Sequence, residues 1–381
     1  MDPARRTSAA RRPAAAQPDA RPSAPGADAP PGASEPASAT PAAPVESPSG
    51  SRVPPPQEPG RQARRARRRA LIRWQVDNLR EGRPPNPPAG AIPRAAPGFD
   101  TPRAAHGEIT ATWIGHSTVL VQVGGLNVLT DPMWSERASP VAWAGPRRLS
   151  PPAVALAELP PIDVALVSHD HYDHLDARTV RALADRFGDG LVWAAPVGYR
   201  RWFGRLGVRG VVELGWWRSA SLRTEHGELR LHALPARHWS QRNAFGGGHR
   251  SWASWALTAP SGGRVYFGGD SAYFGGYEQI GRALGPFDVT VLPIGAYEPR
   301  WFMAGAHMDP EEAVRAYRDL GGSGAFVGVH WGGFRLTDED PLEPPVRTRA
   351  AWRAAGLDGS NLHVDTLGRT VRVRPAEASG R

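Results

Sequence analysis

The 381-residue chain contains no cysteine and no lysine. The first absence excludes a disulfide framework, thiolate zinc fingers, iron–sulfur ligation and a thiol nucleophile. Any metal must therefore be held by nitrogen and oxygen. The second excludes Schiff-base chemistry on a lysine and the lysine of a phosphate-binding P-loop, and all 46 basic residues are Arg. No apolar run reaches the roughly 18 residues that a membrane-spanning helix needs. Large apolar side chains are almost missing from residues 1–60, an Ala/Pro/Ser sequence that cannot bury enough surface to offset its ordering entropy. That stretch reads as a disordered tail.

Charge is unevenly placed. Residues 1–100 hold 16 Arg against 9 acids and 21 of the 40 Pro, leaving a body of only +2. Without a long basic stripe, such a body argues against a nucleic-acid-binding protein or nuclease led by its Arg-rich arm. That arm contains Arg61, Arg64, Arg65, Arg67, Arg68 and Arg69, followed by Leu71, Ile72 and Trp74. It reads either as a solvated segment or as a basic amphipathic helix on anionic lipid. Together with the Pro-rich stretch behind it, it forms an arm and linker over 61–107. Arg5-Arg6 and Arg11-Arg12 are not followed by the apolar stretch of an export signal. A cytoplasmic protein is expected, with peripheral contact at the inner membrane surface as the lipid-bound version.

From about residue 108 short apolar runs alternate with Gly/Pro turns. Strands are expected at 109–114, 118–123, 126–130, 164–168, 191–195, 210–214, 229–233, 252–257, 264–267, 289–294 and 325–329. Helices are expected at 176–187, near 277–284 and at 310–320. The last opens with Asp309 as N-cap, Pro310 at the first helical position and Glu312 completing a capping box. Many strands with interspersed helices point to an α/β sandwich over 108–381. Its strand-rich halves, before and after about residue 225, read as pseudo-equivalent.

The strongest signal is Val167-Ser168-His169-Asp170-His171-Tyr172-Asp173-His174-Leu175-Asp176, where a buried-type run stops and ligand-type residues begin. His169 and His171, two apart, project to one side of an extended turn, and Asp173 and His174 lie at the next bend. His238, Asp270 and His330 each stand at or just beyond the end of another apolar run, where open α/β architectures gather ligands. The expected set is His169, His171 and His238 on one ion, Asp173, His174 and His330 on a second, and Asp270 bridging. Seven ligands for two ions leave room for water, the catalytic pattern. Imidazole and carboxylate suit Zn, Fe or Mn, with Zn first. The lone His226, His232 and His363 are left out of the set.

These residues resemble the metallo-β-lactamase superfamily. Longer strings, among them Trp113-Ile114-Gly115-His116-Ser117-Thr118, Leu129-Thr130-Asp131-Pro132, Ile294-Gly295-Ala296-Tyr297-Glu298-Pro299-Arg300-Trp301-Phe302-Met303 and His330-Trp331-Gly332, resemble its N-acyl-phosphatidylethanolamine-hydrolysing phospholipase D family. The resemblance runs from about Trp74 to about residue 365. It implies a four-layer αβ/βα sandwich and a dinuclear zinc centre on the seven positions above. The implied enzyme is a metal-dependent phosphoric diester hydrolase, which splits its phospholipid into N-acylethanolamine and phosphatidic acid through a metal-bridging hydroxide. Asp270 would then fix the metal spacing and Asp173 orient the hydroxide. His307, matching a functional histidine of the family, would donate to a phosphate oxygen or the leaving group, or else cap and pack the helix after it. The implied partners are a phospholipid, the membrane surface and a second copy in a homodimer. His116 is expected behind the ligands. Tyr297, Glu298 and Arg300 form either a charged wall or a loop-stabilising ion pair, while Trp216, Trp217, Trp239, Trp301, Phe302 and Trp331 are mostly core, with one or two lining an acyl groove.

Two departures from the family bear on acyl or headgroup preference. Gly268-Gly269-Asp270-Ser271 stands where Ala-Gly-Asp-Thr is more usual, and Gly246-Gly247-Gly248-His249 is unusually glycine-rich. The alternatives are a lactonase, or a phosphodiesterase for a soluble substrate, on the same centre.

Overall fold

Side chains along a strand point to alternate faces. Where both sets are apolar, as in most strands here, the sheet must be covered on both sides. The computed structural model, described over residues 38–42, 61–240, 242 and 250–375, meets this demand with two mixed sheets face to face and helices outside each. All described residues belong to one unit, Glu35–Arg381. In chain order the elements are β1 (Ser38–Ala42), α1 (Arg61–Glu81), β2 (Ile109–Gly115), β3 (Thr118–Val123), β4 (Leu126–Thr130), β5 (Val164–Leu166), α2 (Ala177–Phe187), β6 (Val192–Pro196), α3 (Arg200–Gly204), β7 (Val211–Leu214) and β8 (Arg218–Thr224). There follow β9 (Gly227–Leu234), β10 (Ser254–Thr258), β11 (Arg264–Phe267), α4 (Gly276–Leu284), β12 (Val289–Pro293), α5 (Arg300–Met303), α6 (Pro310–Asp319), β13 (Ala325–Val329), α7 (Glu343–Ala354), β14 (Leu362–His363) and β15 (Thr370–Val373).

One sheet runs β15-β2-β3-β4-β5-β6-β7 and the other β1-β8-β9-β10-β11-β12-β13-β14. In each, an antiparallel part passes into a parallel one, β4 to β7 in the first and β11 to β14 in the second. Alternation explains the layering. Val164, Leu166, Val192 and Ala194 enter the large core between the sheets, where they join Leu231, Trp255 and Val291. Ala165, Val167, Trp193 and Ala195 face the other way and form a second core with Val180 and Leu183 of α2 and Phe203 of α3. Ile280 of α4, Val314 and Tyr317 of α6 and Trp352 of α7 pack on the other face of the second sheet, in a cluster continuous with that core. This is the four-layer αβ/βα sandwich.

The three expected helices and all eleven expected strands have counterparts within a few residues. Seven elements were not foreseen from the sequence: the short α3, α5 and β14, and β1, β8, α7 and β15. β8 reads Arg-Ser-Ala-Ser-Leu-Arg-Thr, with too few large apolar residues to signal a strand, and is held by its ladder to β9. α7 begins Glu-Pro-Pro, and its two prolines occupy first-turn positions that need no amide hydrogen. β15 returns from the far end of the chain to pair with β2. The halves therefore divide between β7 and β8, ahead of residue 225, with β15 placed in the first sheet and β1 in the second. β1 lies inside the stretch read as a disordered tail. It adds to β8 antiparallel through backbone hydrogen bonds, which an open sheet edge offers to a segment of any composition. The rest of 1–60, both Arg-Arg pairs and Gly246 to His249 lie outside the described residues.

Candidate metal centre

β5 is flanked by β4 and β6, all parallel, and it ends where the histidine-rich turn begins. The turn closes through backbone bonds from His174 and Leu175 to the His171 carbonyl, at 3.2 and 2.9 Å. It then enters α2, whose N-cap Asp176 accepts from the amides of Arg178 and Thr179. Asp270 follows β11 and His330 follows β13, both strands of the parallel part of the second sheet. His238 lies four residues past β9. The carboxyl ends of strands from both sheets thus deliver side chains to one edge of the sandwich.

Two donor groups form there: His169, His171, His238 and Asp270, and beside them His116, Asp173, His174 and His330. Within each, one donor atom per residue lies within 4.8 Å of all the others. His171 Nδ1 is 2.8 Å from His169 Nε2 and 3.3 Å from His238 Nε2. In the second group His330 Nε2 and His174 Nε2 are 3.1 Å apart, and they stand 3.4 and 3.2 Å from Asp173 Oδ2. Asp270 faces both: its Oδ2 is 3.7 Å from His169 Nε2 and 3.2 Å from His174 Nε2, and its Oδ1 is 3.2 Å from His330 Nε2. The structure therefore brings together all seven residues expected as ligands.

Electrostatics fit cations at this point. Burial pushes His171 and His238 down to about 3 and His169 well below its ordinary value, leaving neutral rings with a lone pair to offer. Burial also works to raise Asp173 and Asp270, but the positive charge of His174 outweighs it and holds both well below the ordinary carboxylate range. Conversely, burial opposes protonation of His330 while Asp270 favours it, lifting this imidazole to about 9. Buried carboxylates demand positive charge, and protonated imidazoles or divalent cations can supply it. Asp270 Oδ1 is buried with no hydrogen-bond partner, as suits an oxygen whose partner is a metal ion. The donor chemistry and this orphaned oxygen together fit metal binding.

The backbone is shaped for the purpose. Five non-glycine residues among those described have positive φ, and three of them are His116, Asp131 and His330 at this centre. Such conformations persist only where the surroundings enforce them. Gly269, at φ +57°, brings its backbone so close to the neighbouring strand end that a Cβ would meet Ser168 Cβ at 2.4 Å. This approach seats Asp270 beside the histidine turn.

The remaining candidates divide. His307 is buried, with Nδ1 3.9 Å from Asp270 Oδ2 and its ring 5.1 Å from that of His238. Burial holds it neutral, pushed down to about 3. His116, expected behind the ligands, lies within the second donor group, with Nε2 2.9 Å from Asp173 Oδ2. Tyr297 is fully buried and forms no wall. Arg300 is instead a strut, donating to the His307 carbonyl at 3.0 Å and pairing with Glu312 at 2.8 Å. Of the aromatics, Trp217 and Trp331 are core, Trp301 is exposed, and Trp239 stands edge-on to His171 with ring centroids 4.2 Å apart.

One residue was missed as a site residue. Asp131 is fully buried just after β4, with Oδ2 2.7 Å from His174 Nδ1, and it accepts from Ser168 N and Oγ at 2.7 and 2.6 Å. An acid directly after the apolar run Leu126–Thr130 was its signal, the same one that marked the ligands.

A histidine/aspartate metal site at the strand-end edge of an αβ/βα sandwich defines a class, the metal-dependent hydrolases. Residues 126–331 match the family model of the beta-lactamase superfamily domain, and the chain belongs to that superfamily. It is 45% identical over 268 residues, 69% of each chain, to an uncharacterized protein of Mycobacterium tuberculosis. It is 41% identical over 241 residues, 61% of this chain and 67% of the other, to N-acyl-phosphatidylethanolamine-hydrolyzing phospholipase D 1 of Caenorhabditis elegans. Among solved structures, a metallo hydrolase from Ignicoccus hospitalis superposes with a TM-score of 0.51 at 20% identity, covering 70% of this chain and 98% of that one. No described helix is long and apolar enough to cross a membrane.

Proposed function

We propose that the protein is a zinc-dependent phosphodiesterase of phospholipase D type. It would hydrolyse N-acyl-phosphatidylethanolamine or a related phospholipid to N-acylethanolamine and phosphatidic acid. The observation that carries this reading is the pair of donor groups sharing Asp270, and the likeness to the nematode enzyme directs it to a phospholipid. His169, His171 and His238 would hold one ion, Asp173, His174 and His330 the other, with Asp270 between them. When bound, two such ions supply Lewis acidity and bring the pKa of water towards neutrality. The protein's part is positional. Asp173 is held by His116 on one side and faces the centre on the other, so its carboxylate would orient an attacking water. His307, neutral and buried at the edge of the first donor group, would donate a hydrogen bond through its ring N–H to a phosphate oxygen or the departing oxygen, without giving up its proton.

Contact with a membrane is part of the proposal. Leu71, Ile72, Val76 and Leu79 of α1 are exposed, as is Trp301 beside it. Apolar residues flanked by Arg suit the boundary between acyl chains and anionic headgroups. The Arg-rich segment is a helix tied to α5 through Trp74 and Phe302, with ring centroids 5.6 Å apart. That docking favours a role in the same function over a separate nucleic-acid arm.

The test is metal analysis of the purified full chain, followed by mass spectrometry after incubation with vesicles containing N-acyl-phosphatidylethanolamine. Release of N-acylethanolamine and phosphatidic acid, abolished in His171→Ala, is expected. Turnover of a lactone or a small soluble diester with the phospholipid left intact would overturn the substrate assignment, and full activity in His171→Ala the metal mechanism.

A further inference from the structure

Helix α1 has two faces, and its inner one reaches the metal centre. Arg67, Ala70, Trp74 and Asn78 recur at helical spacing and are half-buried, whereas Arg68, Arg69, Ile72 and Leu79 are exposed. Trp74 anchors the inner face by packing on Phe302 and donating its indole N–H to the Asp338 carboxylate. Arg83, just past the helix, pairs with the same Asp338 at 3.1 Å. Two turns before Trp74, Arg67 lays its guanidinium over the ring of Trp239, the residue that stands edge-on to His171. Its charge is felt by both His171 and His238.

A cation in that position calls for an explanation. Removing a guanidinium from water is costly, and natural proteins usually offset the cost with a carboxylate. For Arg67 burial alone acts, bringing it down to about 9, with no neighbouring acid among the described residues to lift it again. Stacking on indole occupies only the face of the group. Among the described residues none is hydrogen-bonded to its N–H edges, whose fork geometry matches two oxygens of a phosphate. Arg67 also lies outside residues 126–331, the part of the chain that matches the superfamily domain.

We propose that Arg67 is a substrate-binding residue: α1 delivers its guanidinium to the rim of the metal centre, where it takes an anionic oxygen of the substrate's phosphodiester. The arm thereby becomes part of the active site and favours anionic diesters over uncharged esters on the same centre. The identity of the anion rests on the phosphodiesterase reading, but the anion-receiving role can be measured without turnover.

The experiment uses the full chain with its metals and compares Arg67→Gln, Arg67→Lys and Trp74→Ala with the unaltered protein. Inorganic phosphate binding is measured by calorimetry, metal content and thermal stability are recorded, and steady-state kinetics are run on N-acyl-phosphatidylethanolamine in mixed micelles. Arg67→Gln is expected to weaken phosphate binding about ten- to a hundredfold, the worth of a charged hydrogen bond, and to raise KM more than it lowers kcat. Arg67→Lys should recover part of the loss, because it keeps charge without the fork. Trp74→Ala should reproduce the Gln phenotype by releasing the helix that carries Arg67. Unchanged phosphate affinity in Arg67→Gln, or a loss explained by lost metal or lost stability, would overturn the proposal. If phosphate affinity falls as expected while no variant hydrolyses the phospholipid, the anion site stands and the substrate assignment fails.

Discussion

Asp131 acts on the metal centre from behind. Its carboxylate meets His174 Nδ1 at 2.7 Å, so His174 must present Nε2 to the donor group. Ser168 holds the carboxylate in turn with its amide and hydroxyl. Asp131→Asn keeps the volume but replaces one acceptor oxygen with an amide donor, which faces a ring nitrogen that itself carries hydrogen. Supporting residues of this kind are worth about 10- to 100-fold in metal affinity. Competition with a chromophoric chelator should show a loss of that size, with the secondary structure unchanged by circular dichroism. Unaltered affinity would mean that His174 is oriented by packing alone.

At the scale of elements, the start of α6 ties a local sequence signal to the site. Asp309 accepts from the Glu312 amide at 2.8 Å, and Glu312 accepts from the Asp309 amide at 3.1 Å. Arg300 connects this cap to the His307 carbonyl. Asp309→Ala should therefore cost about 1 kcal/mol, within the 0.5 to 2 range of N-caps. It should also lower turnover by loosening His307, as thermal denaturation and kinetics on one preparation would show. The capping box was legible because all its partners lie within four residues. β8 was not, because a strand of small and polar residues is specified by its neighbours in the ladder and not by its own periodicity. The inward turn of α1 was equally hidden. Its Arg-rich sequence suits solvent or lipid, and only the seating of Trp74 between Phe302 and Asp338 selects the face that looks inward.

For the whole molecule, the centre is a seam. The histidine turn belongs to the first sheet, while His238, Asp270 and His330 come from the second. Ions bound there would join the two halves, and they would bind only the folded chain, because no such site exists in the unfolded one. A metal at a hundred times its dissociation constant stabilises by about 2.7 kcal/mol. Dialysis against a chelator should accordingly lower Tm by several degrees and remove activity, with both restored by added zinc and read by calorimetry. A Tm unmoved by chelation would place the metals outside the folding equilibrium.

The chain's own order of residues was enough to determine the chemistry available. Histidines and aspartates close behind apolar runs mark strand ends that carry ligands, and an α/β sandwich follows from the same runs because these signals are local, its four-layer αβ/βα form being what the family resemblance implies. Tertiary structure alone decided that two sheets present those ends to a common point, that Asp131 stands behind His174, and that Arg67 reaches Trp239. Each of these depends on packing between segments far apart in sequence, where shape and burial, not spacing, choose the neighbour.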